Sequence, residues 1–210
     1  MLAQLFVLRS LRAKLITLFV VTGLVPLAVL GVLSYRQAAA EMRHSAGAKL
    51  ADVAFNASDK LDRNLFERYG DVQAFAKSDP AKSMDARRLQ RWMNTMMATY
   101  TPIYRLMVVA DASGRIVAAN TVDLDGHSLR TGALVGLHVS HAGWFRRAAE
   151  GKLKDGETLV EDLHADHLMQ RVYGGGAASR AMSFTYPIRD DSGRIVGVWT
   201  NRFNWSRRTS

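Results

Sequence analysis

Two stretches decide the fold: residues 104–120, YRLMVVADASGRIVAAN, and residues 186–203, YPIRDDSGRIVGVWTNRF. Each is an apolar run, a tight Asp-x-Ser-Gly turn and a second apolar run. Asp and Gly stand where such turns need a side-chain acceptor and a positive φ. Each therefore reads as a strand–turn–strand unit. The phrase Ser-Gly-Arg-Ile-Val occurs in both, and two copies are too few for a solenoid. The economical reading is two hairpins in one antiparallel sheet. Between them, Gly143–Glu150 reads as a short helix closed by Gly151. Glu157–Glu161, Met169–Tyr173 and Arg180–Tyr186 read as further strands, giving five or six in all.

Upstream the period is helical. Leu50, Val53, Ala54, Ala57, Leu61, Leu65, Phe66, Val72 and Phe75 recur at steps of three and four. The helix is expected to run to about Lys77 and to stop before Asp79-Pro80, because a residue preceding proline is pushed out of the helical region. A second helix, Asp85–Thr99, carries a stripe of Leu89, Trp92, Met93, Met96 and Met97, read as gap-filling core. Helices first and an antiparallel sheet after them give an α+β fold class.

Further upstream lies Leu15–Tyr35, LITLFVVTGLVPLAVLGVLSY, with no charge between Lys14 and Arg36. About 21 residues at roughly 1.5 Å each suffice for a hydrocarbon core of about 30 Å. Gly23, Pro26 and Gly31 are tolerated in a membrane helix. The stretch is too long for the apolar region of a signal peptide, so it reads as a transmembrane helix continuing into the long helix. Arg9, Arg12 and Lys14 precede it without an acidic residue, which places the N-terminus in the cytoplasm and the remainder outside. The division expected is 1–14 cytoplasmic, 15–35 spanning, 36–78 long external helix, 79–205 a module carrying the sheet and 206–210 basic tail.

The net charge is +9. Without the three bases before the span, 25 basic residues face 19 acidic ones. That mild excess suits an anionic small ligand. No basic run with interleaved aromatics appears, so no nucleic-acid partner is expected. There is no cysteine, which excludes disulfides, thiolate metal sites and thiol nucleophiles. No HExxH, P-loop, GxGxxG or Ser-His-Asp order is present, so neither catalysis nor a cofactor is expected. The cluster Glu161-Asp162-Leu163-His164-Ala165-Asp166-His167 has the ligand types for a metal or for acid–base work. It reads as an irregular, solvated crossing between strands.

Taken together, the span, the long helix, the SGRIV hairpins and the Trp-Phe helix resemble the extracytoplasmic Cache sensor domain, a PAS-like fold, of methyl-accepting chemotaxis proteins. Asn64–Ala76, NLFERYGDVQAFA, is similar to the end of their long helix, and Val198–Trp205, VWTNRFNW, to their last strand. The resemblance implies a long helix packed on a Cache-type antiparallel sheet and a homodimer through that helix. It also implies a pocket on the sheet, closed by the connection that carries the Trp-Phe helix. The site residues it points to are Trp144, Phe145, Arg146, Tyr173, Tyr186 and Asn201. In amino-acid-binding members the pattern resembles a Tyr, Arg-x-Trp-Tyr-x-x-Ala, a Tyr and an Asp. Trp144, Phe145 and Ala148 match its middle and Tyr173 its later Tyr. Leu137 stands for the first Tyr, Ala142 for the Arg and Asn201 for the Asp. An ordinary amino acid would thus lose both its carboxylate fork and its ammonium partner.

The function implied is ligand sensing outside the inner membrane for chemotaxis, with the output module expected elsewhere than in these 210 residues. The same sensor could instead serve a histidine kinase or diguanylate cyclase. Outside the sensor class, the alternatives are a membrane-anchored dimerisation module and a periplasmic hydrolase using the His164 region.

Overall fold

A computed structural model describes residues 11–204. The cytoplasmic placement of residues 1–10 and the basic tail 206–210 lie outside the described residues. The chain divides into two compact units between Asp62 and Arg63, and each is taken by itself.

The first unit is helical. Helix α1 (Leu11–Phe19) passes through one π turn (Val20–Leu24) into α2 (Val25–Ala76). Pro26 accounts for the turn. It has no N–H to offer the Thr22 carbonyl, and its ring crowds that carbonyl. The ladder widens, and Val25 N–H donates to Val20 O. Leu11–Ala39 is long and apolar enough to cross a membrane, with a mean hydropathy of 2.5. Farther along α2, Leu50, Val53, Phe55 and Leu61 are exposed.

The second unit holds the end of α2, α3 (Asp79–Lys82), α4 (Ala86–Thr99) and a five-stranded sheet. The strands are β1 (Tyr104–Asp111), β2 (Ile116–Ala119), β3 (Leu159–Ala165), β4 (Arg180–Arg189) and β5 (Ile195–Phe203). Their order is β2-β1-β5-β4-β3, antiparallel throughout. Strand β5 is central, with Thr200 opposite Val108 on one side and Thr185 on the other. Both hairpins turn in the same way. Asp111 Oδ1 accepts from Ser113 N (2.9 Å) and Arg115 N (3.0 Å), and Asp190 Oδ1 from Ser192 N (2.9 Å) and Arg194 N (3.0 Å). Gly114 (φ 84°) and Gly193 (φ 85°) supply the left-handed residue. A Cβ on Gly114 would also lie 2.8 Å from Ser140.

One face of the sheet is covered by α2 and α4. Val72, Phe75, Leu89, Met93 and Met97 pack there on Tyr104, Met107, Phe184 and Trp199. Phe75 and Trp92 lie 5.4 Å apart, and each meets Trp199, at 5.9 and 5.6 Å. The other face is covered by the connection between the hairpins, through Leu134, Trp144, Phe145, Leu168 and Met169. Trp144 and Phe145 sit on α5 (Gly143–Ala149).

Two local expectations are corrected. Met169–Tyr173 is not a strand but part of helix α6 (His167–Tyr173). Asp166 caps it by accepting from Met169 N at 2.8 Å, and Gly174 (φ 81°) ends it. An N-cap followed by an apolar stripe favours helix over the β-leaning composition of the segment. Nor is Glu161–His167 an irregular crossing. Its first five residues lie in β3, where Glu161, His164 and Ala165 pair with β4 and the register is irregular between Glu161 and His164.

Candidate functional site

A cleft of about 680 Å³ opens on the connection-covered face, bordered by α5, β3 and α6. Trp144 forms one wall; Glu161, His164 and Asp166 lie opposite on β3 and its end. Leu137 and Ala142, the positions lacking the expected Tyr and Arg, also border it.

The face beneath is polar where a sheet interior is usually apolar. Ser183, Thr185, Thr200 and Arg202 are wholly buried. By the period of two they share the face of Ala181 and Val198, which pack in the connection-side core. The Thr185 and Thr200 hydroxyls meet at 2.7 Å. Ser183 Oγ donates to Glu161 Oε2 at 2.9 Å, and Arg147 Nη2 pairs with Glu161 Oε1 at 2.7 Å. Arg202 Nε donates to Asp166 Oδ2 at 2.6 Å, and its Nη1 donates to the Thr200 hydroxyl. The guanidinium carbon lies 5.6 Å from the Trp144 ring centroid, a cation–π placement worth about 0.5–2 kcal/mol.

Asp166 is shared three ways, among Arg202, the Met169 N–H and His164 Nε2 at 3.6 Å. Burial alone would push its carboxyl up. The Arg202 charge, His164 and the Met169 N–H together outweigh burial and hold it well below the usual carboxylate range. His164 Nδ1 lies 2.7 Å from the Asp162 carbonyl, an oxygen that can only accept. That contact assigns the proton to Nδ1 and turns Nε2 toward Asp166. The Asp166 carboxylate raises the imidazole pKa; partial burial opposes it, and the Asp162 carbonyl adds to the rise.

Both carboxylates of the cleft are thus engaged by cations and donors of the protein itself. The other polar side chains around it, His138, His141, His167, Gln170 and Arg171, are exposed and offer donors. The arrangement suits an anion rather than a cation.

The sheet divides the residues expected to form one pocket. Trp144 lines the cleft. Phe145 is buried beside it, edge-on at 5.9 Å. Arg146 is exposed on α5. Tyr173 donates its hydroxyl to the Arg105 carbonyl at 2.8 Å, with the Arg105 guanidinium carbon 4.1 Å over its ring. Burial, the first cause, raises its phenol pKa. Tyr186 and Asn201 face α2 and α4. Tyr186 packs in that core, and Asn201 Oδ1 accepts from Trp199 Nε1 at 2.6 Å. The expectation that Asn201 shares a pocket with Trp144 fails because adjacent β5 positions point to opposite faces. The residue on the cleft side is the next one, Arg202. A basic residue in phase with Val198 and Thr200 was the signal available for it. Elsewhere, Asp123, Asp125 and His127 bring metal-type ligand atoms within 4.8 Å of one another on a loop. Asp123 there already accepts from the Asp125 and His127 N–H groups.

No protein-family model matches the sequence, and no curated protein matches it. Among solved structures, the fold is similar to the ligand-binding domain of the amino-acid chemoreceptor PctC of Pseudomonas aeruginosa PAO1 in complex with GABA. The TM-score is 0.51 and the identity 14%, over 75% of this chain and 60% of that one. The V. cholerae histidine kinase DctB sensor domain follows at TM-score 0.49 and 12% identity, over 71% and 52% of the two chains. The E. coli DcuS sensor domain stands at 0.45 and 14%, over 67% and 88%. The PctC likeness shows that this chain shares the fold of that ligand-binding domain. The chain spans about 60% of the PctC domain's length.

Proposed function

We propose that this chain is the membrane-anchored, extracytoplasmic sensing region of a chemoreceptor, and that it detects a small anionic molecule in the cleft beside Trp144. The observation that carries the reading is the electrostatic state of the cleft. Both of its carboxylates are satisfied from within, while donors surround it. A zwitterion such as the GABA in the PctC complex would find no uncommitted carboxylate for its ammonium group. A ligand with anionic oxygens would meet donors from Arg171, Gln170 and the histidines of the rim.

On this reading Leu15–Tyr35 spans the inner membrane with its N-terminus in the cytoplasm. A homodimer covers the exposed Leu50, Val53, Phe55 and Leu61 of α2, since a helix this long cannot bury its apolar side chains by itself. Ligand acts through the sheet. Tyr104 of β1 donates to Asp71 of α2 at 2.7 Å, and Arg68 pairs with the same carboxylate at 3.2 Å. A shift of β1 would therefore be carried to α2, where two placements of the helix are the switch.

The test is thermal unfolding of the full chain in lipid nanodiscs against small organic acids, amines, amino acids and purines. A true ligand raises the midpoint by mass action, and Ala142→Trp, which fills the cleft, abolishes the rise. Stabilisation confined to amines, or unchanged in folded Ala142→Trp, refutes the reading.

A further inference from the structure

Arg202 is completely buried on the central strand. Its Nε is held by Asp166 and its Nη1 by Thr200, but its Nη2 has no hydrogen-bond partner among the described residues. Nε and Nη2 share the edge of the guanidinium that normally grips both oxygens of a carboxylate. Asp166 fills half of that fork. Its Oδ2 faces Nε, whereas its Oδ1 is turned to the Met169 N–H. A buried donor left open in this way calls for an occupant, because its desolvation is otherwise uncompensated. The position of the open donor says where the occupant comes from. Asp166 and Trp144, two of the side chains against the guanidinium, border the cleft. The Trp144 ring, whose centroid is 5.6 Å from the guanidinium carbon, belongs to the cleft wall.

We propose that Arg202 Nη2 is the deep anchor of the sensed ligand. It takes one carboxylate oxygen of a small organic acid once the Trp144 ring turns aside. This rests on the anion-sensing reading of the cleft and adds its buried contact. Asp166 tunes the contact by balancing the Arg202 charge, so the anchor selects by direction as well as by charge. Trp144 thereby serves as a gate over the donor as well as a wall.

The experiment uses the full chain in nanodiscs, with acetate and its uncharged isostere acetamide as probes and chloride to hold ionic strength constant. Acetate is expected to raise the unfolding midpoint saturably, with acetamide at least about 10-fold weaker. Arg202→Lys keeps a cation for Asp166 but removes Nη2, and should weaken acetate by about 10-fold or more. Asp166→Asn keeps the helix cap and uncovers the Arg202 charge. It should tighten acetate by about 3-fold or more, which decides the matter even if Arg202→Lys does not fold. Acetate acting no better than acetamide, acetate acting equally on wild type and folded Arg202→Lys, or Asp166→Asn without effect overturns the proposal. A library ligand lost in Ala142→Trp but indifferent to Arg202→Lys would remove the anchor and leave the cleft reading intact.

Discussion

The two faces of the sheet are built from alternate residues of the same strands and differ in kind. On β5, Trp199 meets Phe75 and Trp92 on the helix side, while Thr200 and Arg202 form a polar floor on the cleft side. The helix side uses burial for cohesion. Its aromatic groups interlock at centroid distances of 5.2–6.2 Å. The cleft side gives up apolar burial to hold hydroxyls, a carboxylate and a guanidinium in fixed directions. A sheet with one cohesive face can carry such a strip on the other, because polar groups with partners cost little net stability.

The sharpest way to break this comparison is to cut into each face. Trp199→Ala should cost about 3–5 kcal/mol by opening a cavity among packed rings, seen as a lower urea midpoint with no loss of cleft binding once allowance is made for unfolded protein. Thr200→Val, on the cleft side, should cost about 1–2 kcal/mol for the lost hydroxyl contacts while disturbing ligand response more. If Thr200→Val proves the costlier in stability, the division of labour is wrong. Between these, Tyr104→Phe removes the bond to Asp71 and should cost about 1.5–3 kcal/mol. Its signature is an altered response of α2, read by spin labels on the helix, with ligand affinity nearly unchanged.

A subtler probe is pH. The folded-state pKa of His164 is raised above its ordinary 6.5, so its contribution is complete below about pH 6.5 and is lost as pH rises through the folded value. Thermal stability should decline over that interval in wild type and flatten in His164→Gln. A profile identical in the two would mean that the Asp166 contact is idle. The smallest effect is expected at the rim. Arg147 is half exposed, with 53% of its side chain open. Arg147→Ala should cost no more than about 1 kcal/mol, and calorimetry should find anion binding weakened only slightly.

The two hairpins were legible in the sequence because each carries its whole turn chemistry locally, in Asp, Ser and Gly at fixed offsets. Helix α4 was legible from its apolar stripe, and the end of α2 was placed within a residue; its reason was not, since Asp79 opens α3 in helical conformation and the extended residue at the break is Ser78. Helix α6 was not, because its β-leaning residues hide a cap whose acceptor, Asp166, looked like part of a loose acidic cluster. The period of two groups Trp199 with Asn201 and separates both from Arg202. What alternation cannot say is which set faces the helices. That depends on residues such as Phe75, 124 positions before Trp199 in the numbering. The same distance problem concealed Arg202. A cation near the end of a strand reads as solvent-facing until Asp166, 36 residues earlier, is brought beside it.

The π turn at Val20–Leu24 has a consequence for anyone counting stripes along the N-terminal helix. A turn closed by a bond from residue 25 to residue 20 accommodates one residue more than an α turn. That extra residue is about 100° of rotation about the axis. Positions before Val20 are therefore out of phase with those after Leu24 by about a quarter of a revolution. A partner helix following one stripe of α2 toward the N-terminus would leave it at this point and meet a different set of side chains. Cysteine crosslinking between copies should show the offset as a one-residue slip in the most reactive positions, and Pro26→Ala, which restores the missing donor, should erase it.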